Sequence, residues 1–455
     1  MTTSALDDLG SSTPLESHKR LVSLRAASAF SRYGHLQGGV MRTTALIALM
    51  TASLFGSVLP AAAQGRGQPV PLPDGAGKGL VEMTCATCHG LTTITHSWGN
   101  TRDGWRALFG SMVALQQDQA DVISAYLAEH FPPKPAPQAD VIPGPITVSF
   151  QEWVVPSLGS RPHDPLAARD GAIWWTGMFA NVLGRLDPQT GQMQEFPLPK
   201  PRSGPHGLVE DKDGHIWFTA NQSTYVGRLD PQTGQVTEYP LPAGVRGPHT
   251  PIFDPQGTLF FTCQSGHVGR IIPATGEVKV VATPSTGTYP YGIQVNSQGI
   301  PWYVDFRGNR IGSIEPGTMQ VTEYPLPSPD ARPRRLALTP DDVVWYTDFA
   351  RGYLSRFDPA TGAVQEWPSP GGRQSEPYGI AYADGALWYS ESAVRPNTLV
   401  RFDPKTDTFQ TWIIPAGGGI VRNMMRTADG NLVLAESGLN RVALLHITSP
   451  AARTR

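Results

Sequence analysis

The chain has 455 residues, of which 36 are Lys or Arg and 38 are Asp or Glu, giving a formal net charge of −2. This near-balance, without a basic tract, argues against nucleic acid or an anionic membrane as the main ligand. Only three cysteines are present, so the fold does not depend on a disulfide framework.

The N-terminal part of the chain has the features of an export signal preceded by an extension. Residues 1–40 lack strong periodicity. They are expected to be a disordered extension, or to result from a start codon assigned too far upstream. The segment 41–63 combines a basic residue, a mostly apolar stretch and three final alanines, as in a secretory signal peptide. Its apolar region is too short to leave an integral membrane span after processing. We therefore expect a bacterial periplasmic or secreted protein that begins near Gln64.

The next segment contains Cys85-Ala86-Thr87-Cys88-His89, the C-x-x-C-H attachment signature of haem c. Two thiols at this spacing can bond the two vinyl-derived carbons of a porphyrin edge, which leaves His89 beneath the ring as an axial iron ligand. The alternative is a small-loop disulfide between Cys85 and Cys88, with His89 a bystander. Export favours covalent haem, because assembly of c-type haem requires it.

Two helices are predicted downstream of this motif. Residues 102–115 place apolar side chains at helical spacing, namely Trp105, Leu108, Phe109, Met112 and Leu115. Residues 118–131 form a second predicted helix, with Val122, Ala125 and Tyr126 near its inner boundary. The pair resembles the distal and C-terminal helices of a class I cytochrome c. Residues 64–131 are therefore predicted to form a small all-α cytochrome c domain.

Met112 is the first choice for the second axial ligand of the haem iron, because a thioether opposite a histidine raises the haem potential. Met112 could instead only fill the apolar helix face, where methionine packs readily. His96 is the runner-up ligand. Met83 lies too close to the attachment site to reach over the distal face.

A Pro-rich segment, 132–146, is predicted to be a semi-rigid spacer, and a turn then repeats seven times. The third residues of these turns are 42 to 44 positions apart: His163, His206, His249, Tyr291, Arg334, Tyr378 and Arg422. Each repeat contains four short runs rich in aromatic and β-branched residues, separated by Gly-containing turns. Such repeats predict a seven-bladed β-propeller over residues 147–449, with a short tail at 450–455. The fold class is therefore mainly β, with a small all-α domain in front.

The seventh repeat has runs for only three strands before the chain ends. Residues 147–154 form an additional strand-like run ahead of the first repeat. We predict that this run becomes the outer strand of the last blade and closes the ring, since closure removes an exposed sheet edge. An unrelated leader strand is the alternative. Cys263 falls on an inner strand and is expected to be a buried apolar residue rather than a reactive thiol.

Two rings of side chains are predicted to surround one mouth of the propeller channel, because the innermost strand starts where the next strand ends. The first ring consists of the seven turn residues named above. The second is Gly177, Ala220, Cys263, Asp305, Asp348, Glu391 and Glu436. Converging polar groups at a channel mouth predict a binding site. The alternative is a structural ion network in which Arg334 and Arg422 neutralise the acids of the second ring.

The repeats resemble those of the virginiamycin B lyase (streptogramin lyase) family. The similarity lies in Trp217-Phe218-Thr219, Val226-Gly227-Arg228-Leu229-Asp230, Trp302-Tyr303 and Trp345-Tyr346-Thr347-Asp348, and it covers roughly residues 147–449. The resemblance implies Mg²⁺-dependent opening of a cyclic depsipeptide by elimination, with histidines and glutamates at the mouth.

Within the family pattern, Glu376 and Glu391 occupy the positions of the two glutamates of the catalytic set. Arg334 and Tyr378 occupy the histidine positions. An arginine cannot act as a base at neutral pH or bind a cation, and a tyrosine is a poor base there. Half of the family's catalytic set is therefore missing.

Three functions remain open from the sequence. The favoured one is a periplasmic c-type cytochrome in electron transfer, whose propeller mouth binds a small-molecule substrate or a redox partner protein through Glu376, Glu391, Arg334 and Tyr378. The second is a Mg²⁺-dependent streptogramin-type C–O lyase with an accessory haem domain. The third is a non-enzymatic scaffold.

Overall fold

The computed structural model describes residues 71–87 and 90–449. The predicted extension 1–40, the predicted signal peptide 41–63, the motif residues Cys88 and His89 and the tail 450–455 lie outside the described residues. No helix in the described part of the chain is long and apolar enough to cross a membrane. Helices come first along the chain, and strands make up the rest.

The helical region has four helices within the described residues, and their bounds are α1 (Lys78–Cys85), α2 (Thr92–Thr95), α3 (Arg102–Gly110) and α4 (Gln117–His130). Thr101 begins α3, since its side chain accepts a hydrogen bond from the Gly104 backbone N–H at 3.1 Å. Buried apolar residues from all four helices form one core, to which Trp105 and Tyr126 contribute the largest side chains. The Trp105 indole N–H is satisfied by the Phe131 carbonyl at 3.0 Å.

The two predicted helices are present, but their bounds and inner faces differ from the prediction. Helix α3 ends at Gly110, so Met112 lies in the turn beyond it rather than on its apolar face. In α4 the buried positions include Ile123 and Leu127, whereas Val122 is 43% exposed. The buried face of α4 is therefore rotated relative to the predicted one, because Ile123 and Leu127 pack against α1 and α3.

The remaining strands form seven antiparallel sheets of four strands each, which confirms the predicted seven-bladed propeller. Blades one to three contain β2 (Pro162–Ala167), β3 (Ile173–Gly177), β4 (Val182–Leu186), β5 (Met193–Pro197), β6 (Pro205–Glu210), β7 (Ile216–Ala220), β8 (Tyr225–Leu229), β9 (Val236–Pro240), β10 (Pro248–Phe253), β11 (Leu259–Cys263), β12 (His267–Ile272) and β13 (Glu277–Ala282). Blades four and five contain β14 (Pro290–Val295), β15 (Pro301–Asp305), β16 (Arg310–Ile314), β17 (Val321–Pro325), β18 (Pro333–Leu338), β19 (Val344–Asp348), β20 (Tyr353–Phe357) and β21 (Val364–Pro368).

The last two blades differ in how they are completed. Blade six is β22 (Pro377–Ala383), β23 (Ala386–Glu391), β24 (Thr398–Asp403) and β25 (Thr408–Ile413). Blade seven takes β26 (Val421–Arg426), β27 (Leu432–Glu436) and β28 (Arg441–Thr448) from the end of the chain and β1 (Thr147–Val154) from before the first repeat. Strand β1 pairs with β28 over its whole length, from Thr147 opposite Thr448 to Val154 opposite Arg441. The predicted ring closure is confirmed.

The Pro-rich segment lies against the outer strand of blade six. Ile142 and Thr411 exchange hydrogen bonds, from the Ile142 N–H to Thr411 Oγ1 at 2.7 Å and from the Thr411 N–H to the Ile142 carbonyl at 3.0 Å. The Gln410 amide bonds both backbone groups of Ile146, at 3.3 and 2.6 Å. These contacts hold the segment along β25 instead of leaving it as a free spacer.

Glycines in the third strands of blades one to four make room for aromatic rings from the second strands. Gly227 pairs with Phe218, and a Cβ at this glycine would lie 2.2 Å from the ring. Gly184, Gly269 and Gly312 occupy the same place under Trp175, Phe261 and Tyr303. Blade five has Ser355 opposite Tyr346 at this position. An aromatic ring of the second strand packed over a glycine of the third strand is thus a repeated feature of the first four blades.

We predict that Gly227→Ala lowers the free energy of unfolding by about 1–3 kcal/mol, because the added methyl group overpacks the Phe218 ring. Thermal or urea unfolding of the full chain measures this change. Ser355→Ala is the matched control, since its position already carries a Cβ opposite Tyr346, and it should lower the stability by less than Gly227→Ala does. Equal effects of the two substitutions would contradict the packing argument.

Candidate functional site at the propeller mouth

The two predicted rings do lie at the same end of every blade. The middle residue of each turn pairs with the last residue of the second strand; it is a proline in blades one to six, as in Pro333 with Asp348 and Pro377 with Glu391, and Val421 in blade seven. The register then shifts before pairing resumes, so the two residues after the proline fall in a bulge. In blade five these are Arg334 and Arg335. The local backbone irregularity is what places the turn residues at the channel.

Three histidines and a tyrosine stack side by side along one side of the channel. Ring centroids are 3.6 Å apart between His163 and His206, and 3.7 Å apart from His206 to His249 and from His249 to Tyr291. All four side chains are buried. Burial, reinforced by nearby arginines or histidines, lowers the pKa of each histidine well below its ordinary value. These imidazoles are therefore neutral at physiological pH.

A buried ion pair crosses the channel next to this stack. Arg335 donates to Asp164 at 2.6 Å and to Thr250 Oγ1 at 3.0 Å, and Asp164 also contacts His163 Nδ1 at 2.9 Å. His163, Asp164 and His206 offer metal-ligand atoms within 4.8 Å of one another. However, the Arg335 guanidinium already binds the only carboxylate of this set. The arrangement is that of a structural tie between blades one and five.

Arg334 is enclosed by aromatic rings at the mouth. Its guanidinium carbon lies 3.7 Å from the ring centroid of Tyr378, 4.1 Å from that of Phe349 and 4.5 Å from that of Phe306. Such contacts are cation–π interactions, which strengthen as the site is desolvated. Beneath the guanidinium, the hydroxyls of Tyr378 and Tyr291 are 2.6 Å apart, and Arg334 donates to the Tyr291 hydroxyl at 3.4 Å.

This arrangement separates the acidities of the two phenols. Burial alone would raise the pKa of Tyr378, but the charges of Arg334 and Arg422 outweigh burial and lower that pKa to about 8. Burial raises the pKa of Tyr291 to about 12. Tyr378 is thus the phenol that ionises first, and it then accepts the hydrogen bond from the Tyr291 hydroxyl.

The two predicted acidic residues, Glu376 and Glu391, have different surroundings. Glu376 stands beside Arg334, and burial raises the pKa of its carboxyl against the opposing charges of Arg334 and Arg395. Glu391 is turned into its own blade, where Ser369 Oγ and the Gly371 N–H donate to one oxygen at 2.5 and 2.6 Å. Thr398 donates to the other oxygen at 2.5 Å. The structure therefore brings Arg334, Tyr378 and Glu376 together, but not Glu391.

The two aspartates of the second ring also find partners within their own blades, whereas both Glu436 oxygens are buried without a hydrogen-bond partner in the described part of the chain. Asp305 pairs with Arg310 at 3.2 Å and Asp348 pairs with Arg351 at 2.6 Å. Neither Arg334 nor Arg422 forms an ion pair with a described residue of this ring. The alternative interpretation, in which these two arginines neutralise the second ring, is therefore wrong. Local donors satisfy Asp305, Asp348 and Glu391, and burial raises the pKa of Glu436.

Four contributors to the site were not identified from the sequence. Asp164 and Arg335 were missed because only the third residue of each turn was assigned to the channel, whereas the bulge also directs the fourth inward. Phe306 and Phe349 each follow the aspartate that ends a second strand. This repeated Asp-Phe pair was the available signal for an aromatic enclosure.

Cys85 and the candidate iron ligands lie in the helical region. Cys85 is the last residue of α1 and is half-buried against the helical core, next to the half-buried Leu80, Leu91, Leu108 and Leu115. Met112 is 36% exposed in the turn after α3, and the preceding Ser111 carbonyl accepts a hydrogen bond from the Gly159 N–H at 2.9 Å. His96 is exposed, as is Met83. The choice of Met112 as iron ligand stays a prediction.

Cys263 is fully buried at the end of β11, and burial raises the pKa of its thiol. The expectation of an inert apolar cysteine is confirmed. It lies within an apolar cluster of blades two and three. A thiol with a raised pKa remains protonated and unreactive at neutral pH.

Comparison with known proteins agrees with this fold. A sequence model described as the Virginiamycin B lyase family matches residues 145–402. A solved streptogramin B lyase is 26% identical with a TM-score of 0.60, over 66% of this chain and 98% of that one. A virginiamycin B lyase from Staphylococcus aureus is 24% identical with a TM-score of 0.60, over 66% and 99%. Hydrazine synthase from Kuenenia stuttgartiensis is 15% identical with a TM-score of 0.53, over 64% and 96%. No curated protein matches the chain.

We predict that one phenol titrates near pH 8 and that Tyr378→Phe abolishes this titration, which the tyrosinate absorbance measures. Because the pKa in the folded state lies below the ordinary value of 10.0, ionisation of Tyr378 adds stability as the pH rises from about 8 towards 10. Tyr225→Phe is the control, since burial raises the pKa of Tyr225. A low titration that survives Tyr378→Phe would assign it elsewhere.

Proposed function

This chain belongs to the virginiamycin B lyase family, and we propose that it serves as an exported c-type cytochrome in electron transfer. In this proposal, haem c is attached to the helical region, and the propeller binds a small-molecule substrate or a redox partner protein at its mouth. The observation that carries the proposal is the intact Cys85-Ala86-Thr87-Cys88-His89 motif, whose first cysteine is the last residue of helix α1.

The surroundings of Cys85 are compatible with a porphyrin. The residue ends a helix, which fixes its position, and it packs against the same apolar core as half-buried leucines from α1, α3 and the adjacent loops. These apolar side chains are only partly covered by the described residues, and a bound macrocycle would bury them further. A haem at this place would supply one-electron transfer, with Cys85 and Cys88 as attachment points and His89 as axial ligand.

The helical region also contacts the propeller near the mouth. The Ser111 carbonyl bonds the Gly159 N–H at 2.9 Å, and Gly159 is two residues before Arg161 in the loop leading into β2. On another side, the Arg395 N–H donates to the Pro137 carbonyl at 3.0 Å. Both contacts involve loops at the end of the blades where the mouth residues lie. This proximity supports a joint role for the two regions.

A Mg²⁺-dependent lyase is the second candidate, and family membership favours it. The residues present do not fit the metal site that the resemblance implies, because both Glu391 oxygens are already hydrogen-bonded to Ser369, Gly371 and Thr398. Arg334 also stands where a histidine is expected. A lowered pKa makes Tyr378 a better base than an ordinary tyrosine, but no described metal-binding carboxylate pair accompanies it. The lyase therefore ranks below the cytochrome.

We expect the exported protein to retain a haem stain on a denaturing gel and to give c-type reduced-minus-oxidised spectra. Cys85→Ala should abolish or weaken the covalent stain, because it removes one thioether bond. Cys263→Ala is the matched control and should leave the stain unchanged, since alanine occupies the corresponding place in blade two, at Ala220. A protein without covalent haem after export would refute the proposal.

Met112→Ala should shift the spectrum of the oxidised haem and lower its reduction potential if Met112 supplies the sixth ligand. Spectroscopy and potentiometry of the exported variant measure both quantities. His96→Ala is the comparison, because His96 is the other candidate ligand. Identical axial-ligand bands in wild type and Met112→Ala would eliminate Met112, while a change confined to His96→Ala would assign the ligand to His96.

A further inference from the structure

We propose that the propeller mouth is a binding site for a dianionic oxyanion, a ligand that carries a phosphate or a pair of carboxylates. The site consists of Arg161, Arg334 and Arg422 around the hydroxyl pair of Tyr291 and Tyr378. This inference rests on the proposed role of the mouth as the binding site of the propeller, and it specifies the ligand class. It does not depend on haem chemistry.

The three guanidinium groups come from three blades and converge at the same place. Arg161 precedes β2 in blade one, Arg422 follows the start of β26 in blade seven, and Arg334 lies in the bulge of blade five. The innermost strands of blades one and seven, β2 and β26, pack side by side, so that Arg161 and Arg422 come from neighbouring blades at the same end of the channel. Burial lowers the pKa of Arg161 to about 9, and the charges of Arg422 and Arg334 act in the same direction.

None of the three arginines forms an ion pair with a described residue. Arg161 stacks on Phe179 at 4.5 Å, and Arg334 is enclosed by aromatic rings. The Nε atoms of Arg334 and Arg422 are buried and have no hydrogen-bond partner within the described part of the chain. Buried donors are normally satisfied, so unsatisfied donors on clustered cations indicate a missing anionic acceptor.

Arginines elsewhere in the propeller form buried ion pairs, in contrast to the three arginines at the mouth. Arg310, Arg335 and Arg351 each bind an aspartate that is buried in the fold. At the mouth, Glu376 is the carboxyl beside Arg334, and burial raises its pKa. The exposed Arg395 adds further positive charge beside Glu376. The mouth therefore keeps an excess of positive charge that a dianion would balance.

The tyrosine pair adds a hydrogen-bond donor and limits the depth of the site. The Tyr291 and Tyr378 hydroxyls, 2.6 Å apart, lie beneath Arg334, and the Arg335–Asp164 pair fills the channel nearby. A ligand therefore binds above the hydroxyls and among the guanidinium groups, which are only partly buried. Guanidinium groups bind phosphate and carboxylate with paired, charge-assisted hydrogen bonds, and this geometry selects oxyanions over chloride.

The test is calorimetric titration of the full exported chain at pH 7 with inorganic phosphate and, separately, with succinate, each against chloride as the monovalent reference. We expect at least one dianion to bind. Arg422→Gln and Arg161→Gln should each weaken that binding by about tenfold or more. Arg246→Gln is the matched control, because Arg246 is an exposed arginine of the blade-three turn, and it should bind as wild type does.

A second readout is the ionisation of Tyr378 in the wild-type protein. A bound dianion should move the titration of this phenol to higher pH, because it offsets the charges of Arg334 and Arg422. This measurement needs no variant, so it stands even if Arg422→Gln does not fold. Arginines with a purely structural role would leave the Tyr378 titration unchanged on addition of phosphate or succinate.

Binding of phosphate alone assigns a phosphoryl ligand, and binding of succinate alone assigns a dicarboxylate. Failure of both to bind, or an equal loss in Arg246→Gln, would overturn the inference. The same titrations on Cys85→Ala separate the two proposals. Dianion binding without covalent haem retains the inference while the cytochrome proposal fails, and haem without dianion binding does the reverse.

Discussion

Closure of the ring by β1 and β28 is the constraint on which the rest of the propeller depends. The two strands come from opposite ends of the propeller sequence and pair over eight residues, so blade seven is complete only when both are in place. Each blade packs on its neighbours through apolar clusters that span two sheets. An open ring would expose both a sheet edge and the apolar flank of a blade. Closure also brings blade seven beside blade one, and with it Arg422 beside Arg161.

Three acids of the second ring are satisfied locally, whereas Arg334 and Arg422 each keep a buried Nε without a hydrogen-bond partner in the described part of the chain. Asp305, Asp348 and Glu391 receive hydrogen bonds from their own blades, which fixes the loops around the mouth. Arg334 forms no ion pair with a described residue and packs on aromatic rings instead. Cation–π packing holds a guanidinium in position without neutralising its charge. The blade framework thus maintains a positive potential at the mouth, and the same potential favours ionisation of Tyr378.

The repeat architecture was predictable from the sequence because the period, the turn residues and the apolar runs all agree. The closing strand at residues 147–154 followed from counting the runs of the seventh repeat. Side-chain partners were not predictable in the same way. Strand pairing places Glu391 and Arg334 at the same end of the channel, but whether a carboxylate faces the channel or its own loop depends on nearby donors such as Thr398. Helix α3 likewise ends at Gly110, five residues before the predicted end at Leu115, because the chain turns at Ser111 and Met112.

The Pro-rich segment before the propeller restricts movement of the helical region. Ile142 and Ile146 are hydrogen-bonded along β25, and the Arg395 N–H bonds the Pro137 carbonyl. The chain that joins the helices to the blades is therefore anchored at several points over about ten residues. The helical region consequently cannot act as a swinging arm that delivers a carried group to distant acceptors. In the proposed cytochrome, a redox partner therefore has to approach the assembled protein.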